Sequence, residues 1–145
     1  MSKAIVVFGS TTGSTEMVAG VVKKTLEGNG AEVTLKNVTD ASINEVGEYD
    51  LIVLGSSTWG EGDIQDDFLP FYEEMDSSNL GKKNVAVFGC GDSDMFPHCF
   101  CAAVDKIREK AVDCGANLVC DGLKIDGDVG AALGEVKAWA EELAA

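Results

Sequence analysis

Short apolar runs alternate with longer segments of helical period along this chain. Five of the runs are rich in β-branched residues and end in glycine or turn residues, a pattern that predicts strands. They cover residues 4–8, 33–35, 51–54, 85–88 and 118–120. Apolar residues at helical spacing predict amphipathic helices over residues 12–27, 100–113 and 129–143.

Each predicted helix presents one apolar face. The side chains assigned to these faces are Met17, Val21 and Leu26 in the first helix, Val104, Ile107 and Ala111 in the second, and Leu133, Val136, Trp139 and Ala140 in the last. We therefore expect Trp139 to be a packing residue.

The predicted strands are almost continuously apolar, as parallel strands are when helices cover both faces of their sheet. The pattern therefore predicts a doubly wound α/β fold, with one domain over residues 1–145. In such folds a ligand binds beyond the carboxyl ends of the strands, where the strand order reverses. The loops expected at that edge are residues 9–15, 55–63 and 89–101.

The charge balance narrows the possible partners. Eleven Lys and Arg against 25 Asp and Glu give a net charge of −14, which disfavours nucleic acid and anionic membranes. No Lys or Arg occurs between Asn37 and Gly81, a segment that contains many acids. They are Asp40, Glu45, Glu48, Asp50, Glu61, Asp63, Asp66, Asp67, Glu73, Glu74 and Asp76. One region of the surface is therefore expected to be strongly negative.

The N-terminal sequence and the cysteines indicate the cellular compartment of the protein. The apolar run 4–8 is too short for a secretion signal, and no run is long enough to span a membrane. Five cysteines, an odd number in a chain long enough to form a core, predict reduced thiols. We expect a cytoplasmic protein.

The first loop reads Gly-Ser-Thr-Thr-Gly-Ser-Thr over residues 9–15, immediately before a predicted helix. Hydroxyls together with the free amides of a helix start favour a phosphate site without a cation. The loop has neither the lysine of the ATP and GTP loop nor the dinucleotide glycine pattern. The alternative is that these residues only cap the helix.

The second and third loops carry large side chains. Trp59 stands among glycines and acids, where it could stack on a flat aromatic ligand, contact a partner or cover the edge of the core. Met95 and Phe96 could close over a ligand. His98 is the only histidine, and it stands close to Cys99 and Cys101. No second pair of Cys or His residues is present to complete four ligands, which disfavours a metal site.

Taken together, the three loops resemble those of a short-chain flavodoxin. The resemblance rests on the residues 9–15, on Ser-Thr-Trp-Gly at 57–60 and on Gly-Cys-Gly-Asp-Ser at 89–93, and it extends to the segments 65–68 and 121–127. It covers the whole chain and is greatest to flavodoxins of sulfate-reducing bacteria. It implies a flavodoxin-like five-stranded parallel sheet of order 2-1-3-4-5, one non-covalent FMN and one-electron transfer between redox enzymes.

The resemblance also assigns roles to residues. The FMN phosphate would meet Ser10, Thr11, Thr12, Gly13, Ser14 and Thr15, with help from Ser57 and the Trp59 indole N–H. Thr58 would meet the ribityl chain, Trp59 would cover one flavin face, and the Gly60 carbonyl would turn toward flavin N5 in the semiquinone. Around the ribityl chain and pyrimidine edge would lie Cys90, Gly91, Asp92, Cys99 and Cys101.

Two features depart from the family pattern. Relatives commonly stack a tyrosine on the outer flavin face three residues after the loop aspartate, where this chain has Met95. The third loop is also longer than in close relatives and the second shorter. Met95, Phe96 and His98 therefore all remain candidates for the outer face.

Three protein classes share this fold. A flavodoxin-like NAD(P)H-dependent quinone reductase would need cations near the flavin, and neither flavin loop has Lys or Arg. A phospho-accepting receiver domain would need an acidic pair after the first strand, where Gly9 and Ser10 stand. We therefore expect a low-potential, monomeric FMN electron carrier, not an enzyme, with redox partners that dock through basic surfaces; the reductase is the alternative.

Overall fold

The computed structural model describes residues 3–9, 14–59, 63–64, 68–76, 80–91, 102–119, 122–126 and 129–144. Its strands are β1 (Lys3–Gly9), β2 (Glu32–Asn37), β3 (Leu51–Trp59), β4 (Asp63–Ile64), β5 (Asn84–Gly91), β6 (Asn117–Leu118) and β7 (Leu123–Asp126). Its helices are α1 (Ser14–Gly28), α2 (Ile43–Val46), α3 (Leu69–Glu74), α4 (Ala102–Asp113) and α5 (Val129–Ala144). A short 3₁₀ turn, Val38–Asp40, follows β2.

The strands form one sheet in the order β2-β1-β3-β5-β6, with β7 also paired to β5. All these pairs are parallel. Because β6 and β7 both pair with β5, they share the fifth position, and the predicted order 2-1-3-4-5 is confirmed. The short β4 adds an antiparallel pair to the end of β3.

The core consists of two layers, one on each face of the sheet. In β1, Ile5 and Val7 belong to one layer and Val6 and Phe8 to the other, the alternation that a strand imposes. The first layer packs under α3 and α4, and the second under α1 and α5. The edge strand β2 is only partly buried, so not every predicted strand is covered on both faces.

The helix faces agree with the sequence pattern, with one exception. The assigned residues of α4 are fully buried, and Trp139 of α5 packs edge-on against Phe88 with ring centroids 6.0 Å apart. Met17, however, is 52% exposed, so its assignment to the buried face of α1 was wrong. That face is formed instead by Val18, Val22 and Leu26, at spacings of four residues.

None of the helices within the described ranges has both the length and the apolar character needed to cross a membrane.

Candidate functional site

The carboxyl ends of the central strands lie side by side. Gly9 of β1 is in register with Ser56 of β3, and Ser56 is in register with Gly89 of β5. Gly89 in turn is in register with Lys124 of β7. The residues that follow these positions therefore leave the sheet at one common edge, where ligands of doubly wound folds bind.

Two buried polar residues mark this edge. Thr15, in the first turn of α1, and Ser56, near the end of β3, both have no exposed surface, and they are the buried polar residues of the described parts of the chain. Burial of a hydroxyl group is costly unless it is hydrogen-bonded, and both residues have interaction partners. Their position indicates that polar groups are concentrated where α1 begins beside the strand ends.

The backbone is closely packed at Gly89. A Cβ atom there would collide with the carbonyl oxygen of Ser56 and would lie 2.6 Å from Cγ2 of Val104. Only glycine therefore allows β3, β5 and α4 to approach this closely at the edge. This packing fixes the relative positions of two of the three strand ends.

The second loop begins later than the sequence predicted. β3 runs from Leu51 through Trp59 instead of ending at residue 54, and Trp59 pairs with Asp63 of β4 in an antiparallel hairpin. The interpretation of Trp59 as a residue beyond the strand was therefore wrong. Pairing with β4 extends the strand, so the backbone of Trp59 has a fixed register relative to Asp63.

The third loop also begins later, because β5 includes Gly89, Cys90 and Gly91. The fifth strand differs as well. It was predicted over residues 118–120, but it consists of β6 at Asn117–Leu118 and β7 at Leu123–Asp126. Leu123 and Ile125 are buried while Lys124 between them is half-buried, an alternation that could have revealed β7 from the sequence.

Several predicted site residues lie at this edge, and others lie outside the described residues. Ser14 and Thr15 open α1, Ser57, Thr58 and Trp59 end β3, and Cys90 and Gly91 end β5. Those outside the described residues are Ser10, Thr11, Thr12, Gly13, Gly60, Asp92, Met95, Cys99 and Cys101, together with Phe96 and His98.

Two residues at the edge were not assigned to the site from the sequence. Ser56 lies two residues after the apolar run 51–54 of β3, and it is buried in register with Gly9 and Gly89. Lys124 is a cation at the same edge, but its Nζ lies 2.9 Å from Asp105 Oδ2 of α4. Its charge is therefore partly compensated by a residue of the chain.

The arrangement suits an anionic, hydrogen-bonding ligand. The start of α1 supplies free amide groups and the positive end of the helix dipole. Thr15 and Ser56 add buried hydroxyl groups beside it. A doubly wound sheet with such a polar edge is typical of nucleotide- and flavin-binding α/β proteins.

Comparison with known proteins identifies the class more closely. The flavodoxin family profile matches residues 6–139. The flavodoxin of Maridesulfovibrio salexigens is 50% identical over 131 residues, 88% of each chain. That of Nitratidesulfovibrio vulgaris is 41% identical over 143 residues, 97% of this chain and 95% of the relative. The crystal structure of oxidised flavodoxin 1 from Bacillus cereus has a TM-score of 0.88 at 35% identity and covers 97% of this chain and 96% of its own.

The chain belongs to the flavodoxin family. Flavodoxins are electron-transfer flavoproteins with FMN as cofactor, so the predicted family, carrier function and cofactor are confirmed. The carrier is thereby favoured over the quinone reductase that the sequence left as the alternative.

Proposed function

We propose that the strand ends hold one non-covalent FMN with its phosphate against the first turn of α1, and that the chain carries single electrons at low potential between redox proteins. The observation that supports the phosphate position most directly is that α1 begins at Ser14, five residues after β1 ends at Gly9, which brings the first turn of the helix to the strand ends. The register of Gly9 with Ser56 brings the ends of β1 and β3 to the same place.

The donors at this edge fit a phosphate ester. Hydroxyl and amide groups donate hydrogen bonds to phosphate oxygens without adding charge, and the helix dipole favours an anion. Lys124, the described cation in register with Gly89, is already paired with Asp105. The site therefore retains most of the negative charge of its ligand.

Within the proposal, each group of residues has a separate role. The phosphate is held by Ser10, Thr11, Thr12, Gly13, Ser14, Thr15 and Ser57 together with the Trp59 indole. Thr58 contacts the ribityl chain. The ribityl chain and the pyrimidine edge are surrounded by Cys90, Gly91, Asp92, Cys99 and Cys101. Trp59 covers one flavin face, and Met95, Phe96 or His98 covers the other.

When it is bound, FMN supplies the one-electron chemistry. The chain positions the cofactor and sets its potential. Gly89 keeps the edge compact, because no side chain at that position separates β5 from Ser56 and Val104. Acidic residues near the loops disfavour additional negative charge on the cofactor, which lowers its potential.

The test compares FMN with riboflavin, which lacks the phosphate. Replacing the buried hydroxyl in Thr15→Val should weaken FMN binding by about 10- to 100-fold, the effect of losing a hydrogen bond to a charged group. Riboflavin binding should change by less than about threefold. Fluorescence titration of the apoprotein with each flavin gives both dissociation constants.

Thr25→Val is the matched control, because it makes the same change further along α1. The hydroxyl of Thr25 donates to the carbonyl of Val21 at 2.9 Å, well away from the start of the helix. We expect this variant to bind both flavins as the parent does. Equal weakening of FMN and riboflavin by Thr15→Val would contradict the phosphate position.

The same proposal extends to partners and compartment. We infer a cytoplasmic monomer that docks through its flavin end onto basic surfaces of redox proteins. Support comes from the segment 37–81, which has no Lys or Arg, and from the exposed acids Glu73 and Glu74 of α3. Opposite charges accelerate encounter and orient the two proteins.

A further inference from the structure

The sequence Asn-Gly occurs at one place in the chain, at residues 29 and 30. The chain has six asparagines, and a larger residue than glycine follows each of the other five. An asparagine before glycine can lose its side-chain amide spontaneously, because glycine has no Cβ atom to keep its backbone nitrogen away from the side-chain carbonyl carbon. Asn29 and Gly30 are both exposed, so water can reach them. Nothing in the proposed function uses this dipeptide.

The dipeptide directly follows α1, where the hydrogen bonds form the Schellman pattern of a helix end. The Gly30 N–H donates to the carbonyl of Glu27 at 3.0 Å. The Ala31 N–H donates to the carbonyl of Leu26 at 3.1 Å. Gly30 has a φ of 94°, the left-handed conformation that this pattern requires. Leu26 is buried and Ala31 packs against the same core layer, so the helix end is closed.

The side chain of Asn29 is held by a separate hydrogen bond. Its Nδ2 donates to the carbonyl of Thr25 at 2.9 Å, while the Gly30 nitrogen is held by Glu27. The backbone nitrogen and the side-chain amide that would react are therefore engaged with different carbonyl groups, and both must be released first. This release requires opening of only the last turn of α1, which costs less free energy than unfolding of the whole protein.

We propose that Asn29 is a site of spontaneous deamidation and that opening of the last turn of α1 sets the rate. In the open turn, the Gly30 nitrogen loses its proton to solvent and forms a bond to Cγ of Asn29, and the side-chain nitrogen leaves as ammonia. Water then opens the resulting succinimide ring at either carbonyl carbon, which gives aspartate or isoaspartate. Water is the co-reactant, and no group is oxidised or reduced.

The product weakens the turn that protected the asparagine. A carboxylate cannot donate to the carbonyl of Thr25, and it places a negative charge at the negative end of the helix dipole. Lys24 and Lys137 line the same groove as Asn29, but both are exposed, and exposed ion pairs contribute little. Isoaspartate also lengthens the backbone between α1 and β2, which begins at Glu32. The change is confined to the end of α1, about 20 Å from the start of the helix at the proposed FMN site.

The test follows residue 29 by peptide mapping and mass spectrometry while the FMN-loaded protein is incubated in mildly alkaline buffer. Deamidation raises the mass of the peptide that contains Asn29, and chromatography separates its aspartate and isoaspartate forms. The folded protein should react at least about tenfold more slowly than the chain unfolded in guanidinium chloride, because the turn is closed most of the time. Asn29→Gln should form no product at this position.

Gly28→Ala distinguishes opening of this turn from unfolding of the whole protein. Gly28 is the last residue of α1, and no atom lies within 4 Å of an added Cβ. The higher helix propensity of alanine should slow deamidation of the folded protein by about two- to fivefold. Gly20→Ala is the matched control, since it makes the same change in the middle of α1 with the same free space. It should alter the rate by less than about 1.5-fold, because the last turn opens without residue 20.

The rates of the parent and both glycine variants should agree in guanidinium chloride, where no helix forms. The proposal is overturned if another asparagine of the folded protein deamidates faster than Asn29, or if the folded and unfolded chains react at the same rate. It is also overturned if Gly20→Ala slows the reaction as much as Gly28→Ala, since unfolding of the whole protein would then set the rate. Asn29→Asp, which reproduces one product, should lower the denaturant midpoint, and an unchanged midpoint would contradict the weakening of the helix end.

Discussion

Lys82 adopts a φ of 65°, in the left-handed region that side chains with a Cβ atom disfavour. Its amide donates to the carbonyl of Gly115 at 2.9 Å, which holds this conformation at the turn before β5. Glycine at this position keeps the hydrogen bond and removes the steric cost of about 1–2 kcal/mol, while adding some entropy to the unfolded chain.

Lys82→Gly should therefore increase the free energy of unfolding by about 0.5–1 kcal/mol. Lys83→Gly is the control at the next residue, where φ is not positive, and it should decrease stability by about the same amount. Urea denaturation followed by circular dichroism measures both changes. A loss of stability in Lys82→Gly would mean that the turn does not require the left-handed conformation.

Cys114 provides a test that depends on pH. The thiol is 5% exposed, and desolvation by burial raises its pKa. Because the folded-state pKa lies above the unfolded value, the corresponding stability is present below the unfolded pKa and is lost as pH rises through the folded one. The free energy of unfolding of the parent should thus fall above about pH 8.5, the ordinary thiol pKa, more steeply than that of Cys114→Ala.

Denaturation of both proteins from about pH 7 to about pH 11 measures this difference. The same pH dependence of stability in the parent and in Cys114→Ala would contradict a raised thiol pKa. Burial also predicts slow alkylation of Cys114 in the native protein and fast alkylation in urea. Peptide mapping by mass spectrometry separates this cysteine from the other four.

At the scale of elements, the close contact of β3, β5 and α4 depends on Gly89. Gly89→Ala would place a Cβ atom against Ser56 and Val104, so it should destabilise the fold by about 1–3 kcal/mol. Gly20→Ala in α1 is the matched control, since no atom lies within 4 Å of its added Cβ. Its higher helix propensity should stabilise the fold by about 0.5–1 kcal/mol. If thermal unfolding showed the same change in stability for both variants, the close packing at Gly89 would be contradicted.

The major elements could be predicted because their burial is periodic. β1 and β5 are apolar at every core position, and α4 and α5 repeat their apolar residues at helical spacing. The helices α2 and α3 have only four and six residues, too few to establish a period. Met17 was misassigned because one residue along a helix turns the side chain by about 100°, from the buried to the exposed side.

The site could be predicted only in part. Thr15 could be assigned to the candidate site because a run of hydroxyl residues precedes a helical pattern, which is a local signal. The extension of β3 to Trp59 was not found, since its pairing with Asp63 depends on a hairpin beyond the apolar run. Lys124 reaches the edge only through the register of β7 with β5, which is a tertiary property.

At the scale of the whole molecule, the net charge of −14 is unevenly distributed along the chain. If the flavin end is the acidic end, electron transfer to a small cationic complex should slow several-fold as ionic strength rises from about 0.01 to about 0.15 M, because the screening length falls from roughly 30 to roughly 8 Å. Transfer to an anionic complex should accelerate over the same range. Stopped-flow rates that respond to salt in the same direction for both complexes would contradict this charge distribution.

Stepwise reduction of the reconstituted protein tests whether this chain is a one-electron FMN carrier. We expect one FMN per chain and two resolved one-electron steps. The potential of the second step should lie well below that of free FMN, because the acidic surroundings oppose added negative charge. Acid release and chromatography of the cofactor should yield FMN and no FAD. Failure to bind FMN in about a one-to-one ratio, or reduction in a single two-electron step, would contradict the assignment of this chain as a one-electron carrier.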